Sequence, residues 1–264
     1  MITPVFDENR EIIKYVGLKE DLTGLLTIQK ELEETLVSLE ETVNKRTLVL
    51  RSTQSLLLES LATLSEYRDN ETGEHIKRTK LYVKFLVECI SSSLDYTEYE
   101  LVQLWSSAPL HDIGKVAIPD NILLKPDKLT DEEFDIMKMH PIHGNEALMR
   151  VSECKDDDNF LKFAKEITLF HHEKWDGSGY PYGLEGEDIP ISARMMALAD
   201  VYDALRSKRP YKDPIPHEKV MGMILEERGR HFDPVLVDLF IEFNGKFNDI
   251  FTNSMEEVFN FDDL

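Results

Sequence analysis

A seven-residue repeat of hydrophobic positions runs through the first quarter of the chain. One row is apolar apart from a single glutamine: Leu22, Gln29, Leu36, Val43, Leu50, Leu57 and Leu64. A second row, offset by three or four positions, begins with leucines and turns polar: Leu18, Leu25, Leu32, Leu39, Arg46, Thr53 and Ser60. Two such rows are typical of a coiled-coil seam. The pattern predicts a long helix over 18–66 that pairs in parallel with a second copy, more weakly in its second half; the alternative is a stripe that packs on its own domain.

The chain on either side of this helix has a different character. Residues 1–17 predict two short strands around a turn at Asp7-Glu8-Asn9, which is too small a unit to bury a core alone. From about 67 to 245 the apolar residues show no strand alternation, and loops rich in proline or glycine lie at 119–126, 176–190 and 209–216. The sequence therefore predicts an all-α fold over 67–245. The acidic tail, 246–264, is predicted to be either a short docking helix or a frayed end.

Charge and composition narrow the functional classes. The chain has 51 acidic and 30 basic residues, and its net charge of −21 argues against DNA or RNA as a partner, because such a surface repels phosphates. No apolar run approaches the roughly 20 residues that a membrane span needs. The two cysteines, Cys89 and Cys154, lie far apart, which fits a reducing compartment better than a disulfide scaffold. We expect a cytoplasmic location and no membrane segment in this chain.

Several of the eight histidines stand beside other potential metal ligands. Glu71 and His75 are four residues apart, so on a helix they share one face. His111 and Asp112 are neighbours, which diverge on a regular helix and reach one ion only at a helix end or a distorted turn. Each pattern alone is also typical of a solvated face or of a buried hydrogen-bonded pair.

Further candidate ligands follow in the second half of the chain. His140 stands apart, whereas His171 and His172 are adjacent, an arrangement that more easily serves two different ions than one. Asp200 lies in the apolar stretch MMALADVYDAL, where burial of a carboxylate is costly unless it is paired or metal-bound. Taken together, these imidazoles and carboxylates are too many for one tetrahedral ion. They suit iron, manganese or zinc in a multinuclear site, and paired ions about 3.5–4 Å apart are typical of phosphoryl hydrolysis.

The same residues stand in longer motifs that resemble the HD-GYP subfamily of the HD superfamily, metal-dependent phosphodiesterases of cyclic di-GMP. The motifs span roughly residues 60–242 and comprise RDNETGEHIKRT, HDIGKVAIPDNILLKPDKLTDEE, MKMHPIHG, HHEKWDGSGYP, IPISARMMALADVYDAL, RPYK and GRHFDP. The resemblance implies a helical HD-type phosphohydrolase domain over 67–245, preceded by a coiled-coil helix and a short β remnant.

The resemblance also implies roles for individual residues. The implied metal ligands are Glu71, His75, His111, Asp112, His140, His171, His172 and Asp200. They would hold two or three divalent ions, iron or manganese, and in this family a glutamate at the position of Glu71 goes with a third ion. Asp112 would bridge the ions, and it and Lys115 would be the catalytic residues. The implied substrate contacts come from Lys115, Tyr180, Arg209 and Lys212.

The reaction implied is hydrolysis of cyclic di-GMP to linear pGpG, with a second cut to GMP left open. One alternative is a preference for hybrid cyclic GMP-AMP. A second is a scaffold that binds a cyclic dinucleotide or a protein without turnover, and a third is an HD hydrolase of nucleotide monophosphates or triphosphates. The complete ligand set favours activity, and the GYP and RPYK motifs argue against a plain nucleotide hydrolase.

The start of the chain carries a looser resemblance. Residues 1–23 resemble the last strands of a PAS sensor domain, with Asp21-x-Thr23 at the place where such domains commonly pass into an output helix. This implies that residues 18–66 form a signalling coiled coil and a parallel homodimer. We then expect the chain to be the output part of a longer sensory protein.

Overall fold

A computed structural model of the chain describes residues 2–17, 21–66, 68, 73–152, 159–208 and 214–253. The chain divides into two compact units, Met1–Thr53 and Gln54–Leu264, and the boundary falls within the long helix α1 (Thr23–Glu66). The predicted helix over 18–66 is thus present from Thr23 onward, while 18–20 lie outside the described residues.

The first unit contains a hairpin and the first part of α1. Strands β1 (Ile2–Phe6) and β2 (Ile12–Gly17) pair antiparallel, with Ile2 opposite Gly17. The carboxylate of Asp7 accepts from the backbone N–H groups of Asn9 and Glu11, both at 2.8 Å, and so closes the turn between them. The two predicted strands and their turn are therefore present. The Asp21 carboxylate accepts from the Thr23 N–H at 3.0 Å, as an N-terminal cap of α1 would.

The second unit is all-α, as predicted. Its helices after α1 are α2 (Gly73–Ile90), α3 (Glu98–Ser107), α4 (Asp120–Leu123), α5 (Asp131–Met137), α6 (His140–Ser152), α7 (Asn159–Phe170), α8 (Ile191–Arg206), α9 (His217–Glu226), α10 (Pro234–Glu242) and α11 (Asn244–Asn253). Short 3₁₀ helices are formed by Ser91–Ser93, Ala108–Leu110, Ile113–Ala117 and Gly186–Asp188. In the part of the chain that the structure describes, no helix has the length and apolar character of a membrane span.

Helix α8 is the central element of this unit. Its residues from Ser192 to Ala199 are almost all buried, because small and apolar side chains face every direction in ARMMALA. Helix α2 packs along it, and α7, α9 and α10 also contact it. Several helices begin with capping residues; Thr97 and Glu100 form a reciprocal capping box at α3. The core thus supports the two helices, α2 and α8, that carry His75 and Asp200.

The unit extends past both predicted domain boundaries. Ala62, Ser65 and Glu66 at the end of α1 are buried, so the compact unit starts before residue 67. At the other end α11 places Phe247 and Ile250 in the core. The predicted boundary at 245 therefore lies inside a helix, and only 254–264 of the predicted tail lie outside the described residues.

Candidate metal centre

His111 and Asp112 lie in an irregular turn between two 3₁₀ helices, Ala108–Leu110 and Ile113–Ala117. Asp112 has φ −104° and ψ 12°, away from regular helix, and its Oδ2 lies 3.3 Å from the His111 Nε2. The distorted turn therefore lets both neighbours face one cluster. Gly114 allows this turn to press against α6, because a Cβ there would lie 1.9 Å from the carbonyl oxygen of His140.

The first group of candidate ligands consists of Asp112, His140, His171 and His172. Their ligand atoms all lie within 4.8 Å of one another. The Asp112 Oδ1 is 3.1 Å from the His140 Nε2 and 3.6 Å from the His171 Nε2. One divalent ion can be held by such a set, since it offers imidazole nitrogens and a carboxylate oxygen.

The adjacent histidines follow the end of α7 at Phe170, and both face this first group. Their ring centroids are 4.1 Å apart with planes tilted by 42°. The expectation that His171 and His172 serve two different ions is therefore not supported by the geometry. The reason is that both residues lie in the turn after the helix, so their directions need not diverge by the angle of successive helical residues.

A second group consists of Glu66, His75 and His111, again with ligand atoms within 4.8 Å of one another. The Glu66 Oε1 lies 3.9 Å from the His75 Nε2, and the Asp200 Oδ1 lies 3.5 Å from the same nitrogen. Glu71, the predicted partner of His75, lies outside the described residues.

Four of the histidines are oriented by hydrogen bonds from the Nδ1 side of the ring. The acceptors are the Asp203 carboxylate for His75 at 2.8 Å and backbone carbonyls for the others: Ala108 for His111 at 3.1 Å, Met137 for His140 at 2.8 Å and Ile167 for His171 at 2.9 Å. A carbonyl or carboxylate can only accept, so each Nδ1 carries the proton and the lone pair of the neutral ring is on Nε2. Metal-binding histidines are commonly held in this way.

The atoms that face the cluster are consistent with metal ligation. Within the described ranges, the buried Nε2 atoms of His111, His140 and His171 and the Asp112 Oδ1 make no hydrogen bond. Buried polar atoms without partners are costly, and cations bound by the two groups would satisfy all four. The residues present therefore fit divalent metal ions.

The electrostatics of the first group favour ligation at neutral pH. Burial raises the pKa of Asp112, but the Lys115 ammonium and His111 outweigh it and hold that pKa well below the usual range. Burial, and after it the neighbouring His171 and His140, hold the pKa of His172 well below that of a free histidine. Asp112 is thus a carboxylate and His172 a neutral imidazole, the forms that bind a metal.

The predicted substrate side of the site is partly described. The Lys115 Nζ lies 2.9 Å from the Asp112 Oδ2, and the Tyr180 ring stacks on His172 at 4.7 Å between centroids. Buried Glu173 holds the following loop by accepting from the N–H groups of Tyr182 and Leu184. The other two predicted substrate residues, Arg209 and Lys212, lie outside the described residues.

Two functional candidates escape the sequence reasoning. Asp203 stands in the quoted ADVYDAL stretch one helical turn after Asp200, so the i, i+3 spacing was an available signal. Glu66 carries no such signal, because it is one of 51 acidic residues and stands at the end of a polar helix face.

Comparison with known proteins places this arrangement in a family. Residues 50–236 match the family model described as HD domain. The chain belongs to the HD domain family. This HD domain is 51% identical over 214 residues to a Vibrio cholerae protein named cyclic di-GMP phosphodiesterase, covering 80% of this chain and 43% of that one. It is 43% identical over 232 residues to another from Vibrio cholerae, named 3′3′-cGAMP-specific phosphodiesterase 2, covering 87% and 42% respectively.

The chain therefore spans less than half the length of these two relatives. A solved structure of a cyclic GMP-AMP-specific phosphodiesterase from Vibrio cholerae aligns with this HD domain at a TM-score of 0.51 and 20% sequence identity. The alignment covers 78% of this chain and 53% of that one. At this identity the likeness concerns the fold, and it agrees with the all-α architecture.

Proposed function

We propose that this HD domain is of the HD-GYP type and hydrolyses cyclic di-GMP to pGpG. The observation that carries the proposal is the position of Asp112 between the two ligand groups. Its Oδ1 faces His140 and His171, whereas its Oδ2 faces His111 of the second group. A carboxylate placed in this way suits a bridge between two ions. The cyclic di-GMP phosphodiesterase from Vibrio cholerae, at 51% identity, supports the substrate.

The cofactors we propose are two or three divalent ions, iron or manganese. Such ions would supply the positive charge that makes a water molecule more acidic, and they would bind phosphate oxygens. The proposed ligands are those that the motifs imply: Glu71, His75, His111, Asp112, His140, His171, His172 and Asp200. A third ion is proposed because of Glu71, through the resemblance of its motif to HD-GYP proteins.

The chain's own residues would orient the dinucleotide. Lys115 lies beside the Asp112 Oδ2 and is placed to offset charge that develops on the scissile phosphate. Tyr180, stacked on His172, forms a flat surface next to the ligands against which a base can pack. Arg209 and Lys212 are proposed to bind the substrate phosphate or guanine on the strength of the RPYK motif. A second hydrolysis of pGpG would yield GMP.

We further propose a setting for this activity. Residues 1–23 would be the end of a PAS sensor, and α1 a signalling coiled coil that makes a parallel homodimer in the cytoplasm. The hydrophobic repeat on α1 and the capped start at Asp21 and Thr23 support this proposal.

One experiment tests the function. The protein is reconstituted with iron or manganese without oxygen, and cyclic di-GMP and 3′3′-cGAMP are each added while products are separated by chromatography. We expect pGpG from cyclic di-GMP, and loss of turnover in Asp112→Ala. Asp95→Ala, at an exposed carboxylate, should keep wild-type turnover. Absence of hydrolysis with every metal would overturn the proposal, and faster turnover of 3′3′-cGAMP would favour the substrate named for the second relative.

A further inference from the structure

The last turn of α1 reaches the buried cluster. Glu66, its final residue, is 1% exposed, and Ser65 before it is also buried. The Ser65 hydroxyl donates to the backbone carbonyl of Asp112 at 3.3 Å. The end of this helix is thus tied to the same turn that presents His111 and Asp112.

Two imidazole rings, those of His75 and His111, lie beside the Glu66 carboxylate. Its Oε1 is 3.9 Å from the His75 Nε2, and the ligand atoms of Glu66, His75 and His111 lie within 4.8 Å of one another. The Nδ1 protons of both histidines are committed to Asp203 and to the Ala108 carbonyl. In their neutral forms the two rings therefore present the lone pairs of their Nε2 atoms to the same small space as the Glu66 oxygen. A divalent cation in that space would be bound by all three groups at once.

We propose that Glu66 is a ligand of a divalent cation that it binds together with His75 and His111. Oxygen and imidazole donors in this number suit a first-row divalent metal. The inference rests on the proposed metal-dependent function and deepens it, because it makes the end of α1 part of the metal centre. The competing arrangement is an ion pair between the Glu66 carboxylate and a protonated His75, which needs no metal.

Coupling between α1 and the metal centre follows from this ligation. If the last turn of α1 moves, Glu66 moves with it, and the affinity for the ion changes. Conversely, a bound ion stabilises the position of the turn in which Glu66 is a ligand. The hydrogen bond of Ser65 to the Asp112 carbonyl lets the same turn act on the first ligand group.

The test compares Glu66→Gln, which keeps the size of the side chain and removes its charge, with the wild-type chain. After reconstitution with Mn²⁺ and desalting, the variant should retain less Mn²⁺ per chain. Titration should show affinity at this site weakened by at least about tenfold, since even second-layer changes at metal sites cost about 10- to 100-fold. The rise in melting temperature on adding Mn²⁺ should be smaller in the variant.

Dependence on Mn²⁺ separates the two arrangements. If Glu66 is a ligand, the difference in melting temperature between Glu66→Gln and the wild-type chain should be larger with Mn²⁺ than without it. If Glu66 only pairs with a protonated His75, the difference should be the same with and without Mn²⁺ and the variant should retain unchanged Mn²⁺, which would overturn the proposal. Glu40→Gln, on the exposed surface of α1, is the control for the change in net charge and should behave as wild type.

The test of Glu66 as a ligand does not depend on whether the chain hydrolyses cyclic di-GMP. Unchanged Mn²⁺ content in Glu66→Gln, with cyclic di-GMP hydrolysis by the wild-type chain, would overturn the role of Glu66 and leave the proposed function standing. Reduced Mn²⁺ content in a chain whose wild type does not hydrolyse cyclic di-GMP would leave Glu66 as a ligand and overturn the function.

Discussion

The Asp203 carboxylate is the buried anchor of the His75 side of the centre. It accepts from the His75 Nδ1 at 2.8 Å, from the Arg78 Nε at 2.6 Å and from the Tyr82 hydroxyl at 3.4 Å. Burial raises its pKa, but hydrogen bonds from Arg78 and His75 outweigh this and lower the pKa to about 2. Asp203 is therefore charged at neutral pH and acts through His75, whose ring it orients.

Asp203→Asn should weaken both metal binding and folding. The amide is a poorer acceptor for the His75 Nδ1–H, so Mn²⁺ affinity should fall by about 10- to 100-fold in a titration. The buried Arg78 loses its counter-charge, which should reduce the free energy of unfolding of the metal-free chain by about 3–5 kcal/mol in urea. Asp238→Asn, in an exposed pair with Arg228, should leave the free energy of unfolding nearly unchanged, because solvent screens such a pair. Equal losses in the two variants would contradict the anchoring role.

His231 is predicted to make stability depend on pH. Burial, followed by the nearby positive charge of Lys174, lowers its pKa to about 4, below the ordinary histidine value of 6.5. The unfolded chain therefore binds more protons than the folded one between about pH 4 and 6.5, and the contribution of neutral His231 to stability is lost as pH falls through this window. The carboxylates of Glu227, Asp176 and Asp200 oppose the shift without cancelling it.

The measurement uses metal-free protein, so that loss of ligands to acid does not enter. The melting temperatures of the wild type and His231→Gln are compared from pH 7.5 to 4.5. The wild type should lose more stability than the variant below about pH 6.5. Parallel curves would show that His231 does not titrate differently in the two states.

At the residue scale the sequence predicts all four members of the first ligand group, and the reason is chemical. Histidines are few, so His140, His171 and His172 stand out beside Asp112 even without a fold. Acidic residues are abundant, and a candidate ligand such as Glu66 differs from most of the others in being buried. Burial depends on tertiary packing, which composition and spacing do not contain.

At the scale of elements, α11 distinguishes between the two forms predicted for the tail. The stretch after 245 is acidic and rich in phenylalanine, which predicts either a docking helix or a frayed end, and the helix Asn244–Asn253 packs into the core. Phe247 stacks on Tyr82 at 5.1 Å between centroids and meets Phe240 edge-on at 4.8 Å. Aromatic side chains of this size contribute strongly to the stability of the folded state when they are fully buried.

Phe247→Ala should therefore destabilise the second unit. Removal of a fully buried phenylalanine leaves a cavity and costs about 3–5 kcal/mol, measurable as a lower urea midpoint for unfolding. Lys246→Ala, at the exposed neighbour, should change stability by no more than about 0.5 kcal/mol. A loss of less than about 1 kcal/mol in Phe247→Ala would mean that α11 can leave the core at little cost.

Other elements differ in how well the sequence predicts them. Helix α1 is predicted closely, because a heptad repeat without proline and with a single glycine, Gly24, strongly favours a continuous helix. The 3₁₀ helices around His111 are not predicted, because APLHDIGKVA carries no periodicity that distinguishes them from a loop or from one longer helix. Close packing of Gly114 against α6 sets their path, and such a contact is visible only in the folded chain.

At the scale of the whole molecule, the two units differ in how they bury their apolar side chains. The second unit has its own core around α8. In the first, the seam positions of α1 are exposed: Leu36 is 50% and Val43 is 52% accessible in the single chain. A regular row of exposed leucines on a helix is unfavourable in water, and burial against a second copy would remove about 25 cal/mol of cost for each Å² of apolar surface covered. The proposed dimer provides that burial.

The dimer is tested by placing charge on the seam. Leu36→Asp combined with Val43→Asp should convert a dimer to a monomer, because four carboxylates would then face one another across the paired helices. Ser38→Asp combined with Asn44→Asp adds the same charge to the same helix outside both rows of the repeat and should remain dimeric. Sedimentation equilibrium gives the mass of each. A wild-type chain that is monomeric at every concentration, or a seam variant that stays dimeric, would contradict pairing through α1 and would favour a stripe that packs elsewhere.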